Sequence, residues 1–464
     1  MQCGDAKSEL RRSSADHMER IHPWPQTIIA TTQSSKGSPT LKVLHFSDLH
    51  LDPLYAEGAE ADCSLPMCCR RKDDMNGAAV KKPAGKWGTV GKCDIPPRVV
   101  TNMFQHLQSQ KVLLMISFMA SLDAGLRYYF QFDYVLWTGD VTPHNVWNER
   151  RSDLLHNLQL LSQWIRQYFP TTPVRASYSV KLFNGLRLIS LNTEYGDPDN
   201  VWLKINDTDP DGTMSWFVNE LHKAELANEK VHVIGHIAPS DSLQRWSAIY
   251  YDVVNRFSNT IRGQFFGHTH LDEFSVFYEN GDPKSKASNV LFITPSVTTM
   301  TNLQPVYRIY TIDGNHPNTT WSVLDIEAYK LDVDEANRED KPEWRKEYSM
   351  RETYSMPSLF PRDWNHLINK FISHPSLLST FIRFSERNPE FKCDRTCRRV
   401  ALCRMRAARS EDSAHFCKDL PGTRREQLWQ LLQKVERAYR KKHLMLPQQA
   451  NSIIGNLTSA CLNL

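Results

Sequence analysis

The chain has 464 residues, 41% hydrophobic and 23% charged. That balance excludes wholesale disorder, collagen and coiled coil, and the length admits either two to four domains or one large α/β domain with additions. A net charge of +4, from 56 Lys and Arg against 52 Asp and Glu, does not mark a nucleic-acid binder, so no nucleic acid is expected as a partner.

Residues 1–40 are polar and without period, and read as a linker or unfolded arm; the first twenty have no apolar stretch of the kind that makes a signal peptide. From Leu41 strands and helices alternate. Strand-type apolar runs are expected over Leu41–Phe46, Phe132–Trp137, Leu186–Leu191, Val231–Ile234, Gln264–Phe266, Phe274–Tyr278, Val290–Ile293 and Tyr307–Ile312. Helical spacing covers Trp147–Tyr168, Met214–Leu226 and Leu243–Phe257. This predicts α/β layers, partly antiparallel because the later strands lack helices between them. The longest apolar run, Val112–Met119, falls far short of the ~20 residues that span a bilayer. After about Asp325 the texture becomes rich in Arg, Lys, Trp and Leu at helical spacing, as in Arg424–Lys442. A catalytic domain over 41–325 and a helical domain over 326–464 are expected. The basic stretch Arg437–His443 reads as a solvated helix face, with contact to an anionic membrane as the alternative.

Eight of the ten cysteines form two clusters: Cys63, Cys68, Cys69 and Cys93, then Cys393, Cys397, Cys403 and Cys417; Cys3 and Cys461 stand apart. Such clusters fit disulfides made in an oxidising compartment, or structural zinc, which the adjacent Cys68 and Cys69 suit poorly. Sequons at Asn206, Asn318 and Asn456 fit a secretory route.

Four motifs follow predicted strands: Asp48-Leu49-His50, Gly139-Asp140 with His144 four residues on, Gly235-His236, and Gly267-His268-Thr269-His270. Each alone is weak, since Gly-His or Asp-x-His arises often by chance. The ordered set, each member behind an apolar strand, is specific. Loops at strand ends are where α/β sheets build sites. Asp and His without Cys suit zinc, manganese or iron(II). Six such ligands exceed one open tetrahedral site and suit two ions sharing a carboxylate, as in phosphoester cleavage. No nucleophile elbow or phosphate-binding P-loop is present in the sequence.

This order of motifs resembles the calcineurin-like metallophosphoesterases, and more narrowly the acid sphingomyelinase (sphingomyelin phosphodiesterase) family. The supporting stretches are Phe46–Gly58, Cys63–Arg70, Trp87–Arg98, Trp137–Trp147, Gly185–Asn192, Asn206–Gly212, Val231–Pro239, Phe265–Tyr278 and Thr294–Thr299. The resemblance implies a four-layer α/β/β/α sandwich with a C-terminal helical domain. It implies zinc on Asp48, His50 and His270, a second zinc on His236 and His268, and Asp140 bridging the two. A water between the ions would then cleave sphingomyelin, in membranes or lipoproteins, to ceramide and phosphocholine. His144 would be a catalytic histidine near the leaving oxygen. The disulfides implied are Cys63–Cys68, Cys69–Cys93, Cys393–Cys397 and Cys403–Cys417. A monomer making peripheral contact with membranes, lysosomal or secreted, completes the expectation.

The sequence departs from the family pattern in places. The family's Gly-Asn-His-Asp/Glu motif, whose Asn is a ligand of the second zinc and whose His is a catalytic acid, is absent where Phe169–Val174 runs into Arg175–Val180. Gly314-Asn315-His316 is a decoy, since it follows a later strand and precedes Pro317. Ser109–Gln131 is longer than the family's connection. A saposin domain and signal peptide are not seen. A family disulfide near Gly196 and Ser242 is absent at both ends. Impaired hydrolysis is therefore expected. The alternatives are a catalytically silent metal- or lipid-binding variant, and a nucleotide phosphodiesterase of the acid-sphingomyelinase-like type.

Overall fold

The computed structural model describes residues 37–70, 79–118, 132–168, 177–207, 209–388, 391–410 and 413–420. The expected arm up to residue 36, the helical pattern Arg424–Lys442, the basic stretch Arg437–His443, Asn456, Cys3, Cys461 and the break between Val174 and Arg175 lie outside the described residues.

Strand β1 (Thr40–Phe46) pairs in parallel with β2 (Tyr134–Trp137) and antiparallel with β9 (Val306–Asp313). Strands β10 (Val323–Leu331) and β11 (Trp344–Ser349) complete this first sheet in the order β11-β10-β9-β1-β2. The second sheet is assembled from β3 (Tyr178–Phe183), β4 (Leu186–Ser190), β5 (Lys230–Ile234), β6 (Ile261–Phe266), β7 (Glu273–Tyr278) and β8 (Ala287–Ile293), in the order β3-β4-β5-β6-β8-β7. Its central strands β4, β5 and β6 are parallel.

Side-chain alternation along each strand sets the layers. On β1, Val43 and His45 face the second sheet, where His45 stands edge-on to Phe265; Leu44 and Phe46 face the opposite way, and Phe46 meets Phe104. The helices on that outer side are α1 (Pro97–Phe118) and α2 (Arg151–Tyr168). Behind the second sheet lie α3 (Thr213–Leu226) and α4 (Gln244–Arg256), with Phe217 stacked on Tyr250 and Tyr250 edge-on to Phe266. The result is the expected helix–sheet–sheet–helix order. The acidic turn before α3 starts that helix: Asp209 accepts the Met214 and Ser215 amides, and Asp211 accepts that of Thr213. Among the described residues no helix is long and apolar enough to cross a membrane.

The boundary expected after Asp325 falls inside β10, and β11 extends the same sheet. Here the first sheet continues because every second residue of β10 from Ile326 to Ala328 is buried, while Asp325 and Glu327 point outward and hid the strand. Two short helices, α5 (Val333–Glu339) and α6 (Met350–Tyr354), flank β11. The helical region follows as α7 (Pro361–Ser373), α8 (Pro375–Glu386), α9 (Arg395–Arg406) and α10 (Ser413–Cys417). Proline opens both α7 and α8, where its missing N–H costs nothing.

All four expected disulfides are formed: Cys63–Cys68, Cys69–Cys93, Cys393–Cys397 and Cys403–Cys417. Gly196 and Ser242 adjoin as the resemblance implied; a β-carbon on Gly196 would stand 3.3 Å from that of Ser242, close to disulfide spacing. Cys69–Cys93 closes a 24-residue span around a small core of Ala61, Cys68 and Ala84. Breaking it with Cys69→Ser and Cys93→Ser should lower unfolding free energy by about 3 kcal/mol. Denaturant unfolding under non-reducing conditions measures this, and an unchanged midpoint would contradict it.

Candidate metal centre

Strands β1 and β2 end side by side in the first sheet, and β5 and β6 do so in the second. The four motifs emerge from those ends and meet. The first two loops are laced together: Asp48 N donates to Gly139 O at 3.0 Å, and Leu49 N to Asp140 O at 2.8 Å. In the second sheet Gly267 N donates to His236 O at 3.0 Å. The halves then join, because His268 N donates to the Asp48 carboxylate at 3.1 Å and His236 Nδ1 meets Thr138 O at 3.0 Å.

This closeness explains the motif glycines. Gly139 holds φ +114°, and a β-carbon at Gly267 would lie 2.6 Å from Asp48 Oδ2. The ligand candidates carry the remaining strain. Asp48, His50, Asp140, His268 and His270 all have positive φ, between 41° and 76°. Such residues cost roughly 1 kcal/mol or more each and cluster where function requires a fixed geometry.

Hydrogen bonding assigns two ring tautomers. A carbonyl oxygen only accepts, so His50 must donate from Nδ1 to Thr142 O (2.7 Å) and His236 from Nδ1 to Thr138 O. Each ring thereby turns Nε2 inward. His50 Nε2 lies 3.2 Å and His236 Nε2 3.3 Å from the same oxygen, Asp140 Oδ2. His270 Nε2 lies 3.1 Å from His50 Nε2 and 3.4 Å from Asp48 Oδ1. Lone pairs facing one another and a carboxylate at these distances call for a cation among them. A tetrahedron of ligands at about 2.0–2.1 Å has edges of roughly 3.3–3.4 Å, so the donor set fits a zinc-like ion. The His268 ring stands edge-on to His236 with centroids 5.2 Å apart. Asp48, His50 and Asp140 lie close enough to hold one ion.

At His50 and His236 the surrounding carboxylates favour positive charge. Burial opposes the charge on His50, yet Asp140 above all raises it to about 10. Burial likewise opposes His236, and Asp48 and Asp140 raise it to about 9. At His270 burial prevails over Asp48 and lowers the ring to about 4. Burial works against the Asp48 charge too, but His236 and His270 hold its carboxyl far below the usual range.

His144 differs in its partners. Its Nδ1 lies 2.8 Å from Asp94 Oδ1 and its backbone N donates to Asp94 Oδ2 at 2.8 Å. The ring stacks on His50 at 3.8 Å, tilted by 25°. His50, His144 and His270 also lie close enough to share an ion. The Nδ1 of His144 is the nitrogen turned to Asp94. Asp94 is fully buried, accepts Thr298 Oγ1 as well, and follows Cys93 directly. Sequence reasoning missed Asp94, although an acid between a clustered cysteine and Ile95-Pro96-Pro97 was a signal. A second missed support is Arg70, which grips Asp52 and donates to Asn145 Oδ1 at 2.8 Å.

The remaining candidates separate from the centre. Gly314-Asn315-His316 sits at the far end of β1, where Gly314 N donates to Pro39 O and His316 Nε2 lies 2.9 Å from Asp313 Oδ1. Asn206 and Asn318 are exposed.

A profile of the acid sphingomyelin phosphodiesterase C-terminal region matches residues 286–417. Bovine sphingomyelin phosphodiesterase is 35% identical over 433 residues, covering 82% of this chain and 66% of the bovine protein. Sphingomyelin phosphodiesterase 1 of Caenorhabditis elegans is 34% identical over 434 residues, covering 82% of this chain and 72% of the nematode protein. The chain thus spans just under two thirds of the length of its bovine relative. A solved dimetal phosphatase from Danio rerio aligns with a TM-score of 0.35 and 9% identity, over 63% of this chain and 96% of that one.

Proposed function

Because the chain belongs to the sphingomyelin phosphodiesterase family, we propose that it is a zinc-dependent phosphodiesterase acting on sphingomyelin at membrane or lipoprotein surfaces, with hydrolysis impaired. The observation that carries this reading is the convergence of His50 and His236 on one oxygen of Asp140, from two different sheets. Two zinc ions held by Asp48, His50, Asp140, His236, His268 and His270 would supply charge stabilisation at the phosphoryl oxygens and an activated water.

The chain's own groups do the rest. Asp140 and Asp48 neutralise the centre. The carbonyls of Thr142 and Thr138 fix which nitrogen each ring presents. Asp94 orients His144 through Nδ1, leaving Nε2 to give a proton to the oxygen of the departing ceramide. The glycans at Asn206 and Asn318 and the lysosomal or secreted location belong to this same proposal. So does the division of labour between a catalytic domain and a C-terminal helical domain.

His144→Ala tests the assignment. It should lower sphingomyelin turnover by about 10²-fold while zinc per chain, read by atomic emission, stays unchanged. A parallel loss of zinc would make His144 a ligand and would overturn its proton role. The silent-variant reading is favoured by the absent Gly-Asn-His segment, and turnover below the buffer blank in zinc-loaded protein would establish it.

A further inference from the structure

Resting on the metal reading above, we propose that two arginines of the C-terminal helices, Arg387 and Arg404, are positioning residues that hold the histidine loops in metal-binding geometry. Arg387 caps α8 at φ +49° and is almost completely buried. Among the described residues no carboxylate is seen within ion-pair distance of it. Its guanidinium instead donates to the carbonyls of Ser296 and Gln304, both at 2.8 Å, to Ser296 Oγ, and to the carbonyl of His270 itself. A buried guanidinium spent on loop carbonyls fixes backbone, and here the backbone is that of a ligand held at positive φ.

Arg404 of α9 makes a second brace. Its Nε and Nη2 donate to Glu273, at 2.6 and 3.0 Å, and its Nη1 and Nη2 to Asp241, at 3.2 and 3.1 Å. Asp241 lies five residues after His236, and Glu273 three after His270. One fork therefore ties the His236 loop to the His268–His270 loop. The loops leave different strands of one sheet and share the backbone bond from Gly267 N to His236 O. The two arginines add cross-links from outside the sheet.

Groups that orient metal ligands are typically worth 10–100-fold in metal affinity. Arg387→Met and Arg404→Met should each raise the zinc dissociation constant about 10–100-fold, measured by chelator competition on the full chain, and should broaden the visible spectrum of cobalt-loaded protein. Arg387→Lys and Arg404→Lys, which keep the charge, should recover part of the affinity; they also carry the test if a Met variant does not fold. Arg399 is the internal control. It is equally buried and grips the carbonyls of Leu420 and Cys417, at the end of the C-terminal helical region. Arg399→Met should leave zinc affinity at the wild-type value. Wild-type affinity in folded Arg387→Met, or an equal loss in Arg399→Met, would overturn the positioning role. Failure of the wild-type chain to bind zinc would instead sink the metal reading itself, and this inference with it.

Discussion

Asp140→Asn should remove zinc from both positions and lower sphingomyelin hydrolysis by about 10³-fold or more. One carboxylate oxygen faces His50 at 3.2 Å and His236 at 3.3 Å, so a single charge serves both halves of the centre. The amide keeps the shape and removes the charge. Several kcal/mol of transition-state stabilisation depend on such metal centres, and each 1.36 kcal/mol is tenfold in rate. Asp48 is a poorer probe of the same idea. It is fully buried and accepts the His268 amide, so its replacement also unties the two sheets' loops. The Asp140 side chain is 37% exposed. Zinc per chain and turnover should be read on the same preparations, with Asp140→Asn, His270→Ala as the stricter variant. Full zinc in that double variant would remove the ligand assignment altogether.

The candidate centre was legible in the sequence because its parts are local. Each candidate ligand sits two to four residues beyond an apolar strand, beside a glycine or two positions from another candidate, and the strand direction does the rest. His45 shows the opposite case: it too lies on β1, but between the sheets beside Phe265 and Tyr310, and is a core residue. What stayed hidden is long-range or backbone-mediated. Arg387 reaches His270 across 117 positions, and its acceptors are mostly carbonyls, which no side-chain pattern encodes. Asp94 meets His144 across 50 positions. Strand β11 was hidden differently. Its sequence WRKEYS carries exposed charges because it is the edge of the first sheet, where charge discourages pairing with another chain. β3, at the opposite edge of the second sheet, is only half-buried and has the same ambiguity. Helix α1 was partly concealed by Val112–Met119, whose apolar run gives no helical period of its own.

Restoring a Gly-Asn-His-Glu segment between Val174 and Arg175 should raise hydrolysis by about 10²–10⁴-fold, the usual worth of a general acid. The insertion point has a structural rationale. β3 enters the second sheet antiparallel to β4, with Tyr178 opposite Ser190. Ser177, just before it, accepts the backbone N–H of Asn192, and the next residue, Thr193, accepts the His236 amide through Oγ1. The chain therefore joins β3 at the end of the sheet that carries the metal centre, within a few residues of a ligand loop. An Asn delivered there would add a neutral oxygen to the His236 and His268 pair, which has fewer side-chain donors than the group around His50. The added His would share the proton transfer now left to His144. Two readouts separate these effects. Zinc affinity should rise for the second ion alone, and His144→Ala should cost less in the restored chain than in this one. The decisive comparison is side by side, at acid pH with added zinc. Equal turnover by the two chains would mean that residues already present provide both the ligand and the acid, and the impairment proposed for this chain would fall.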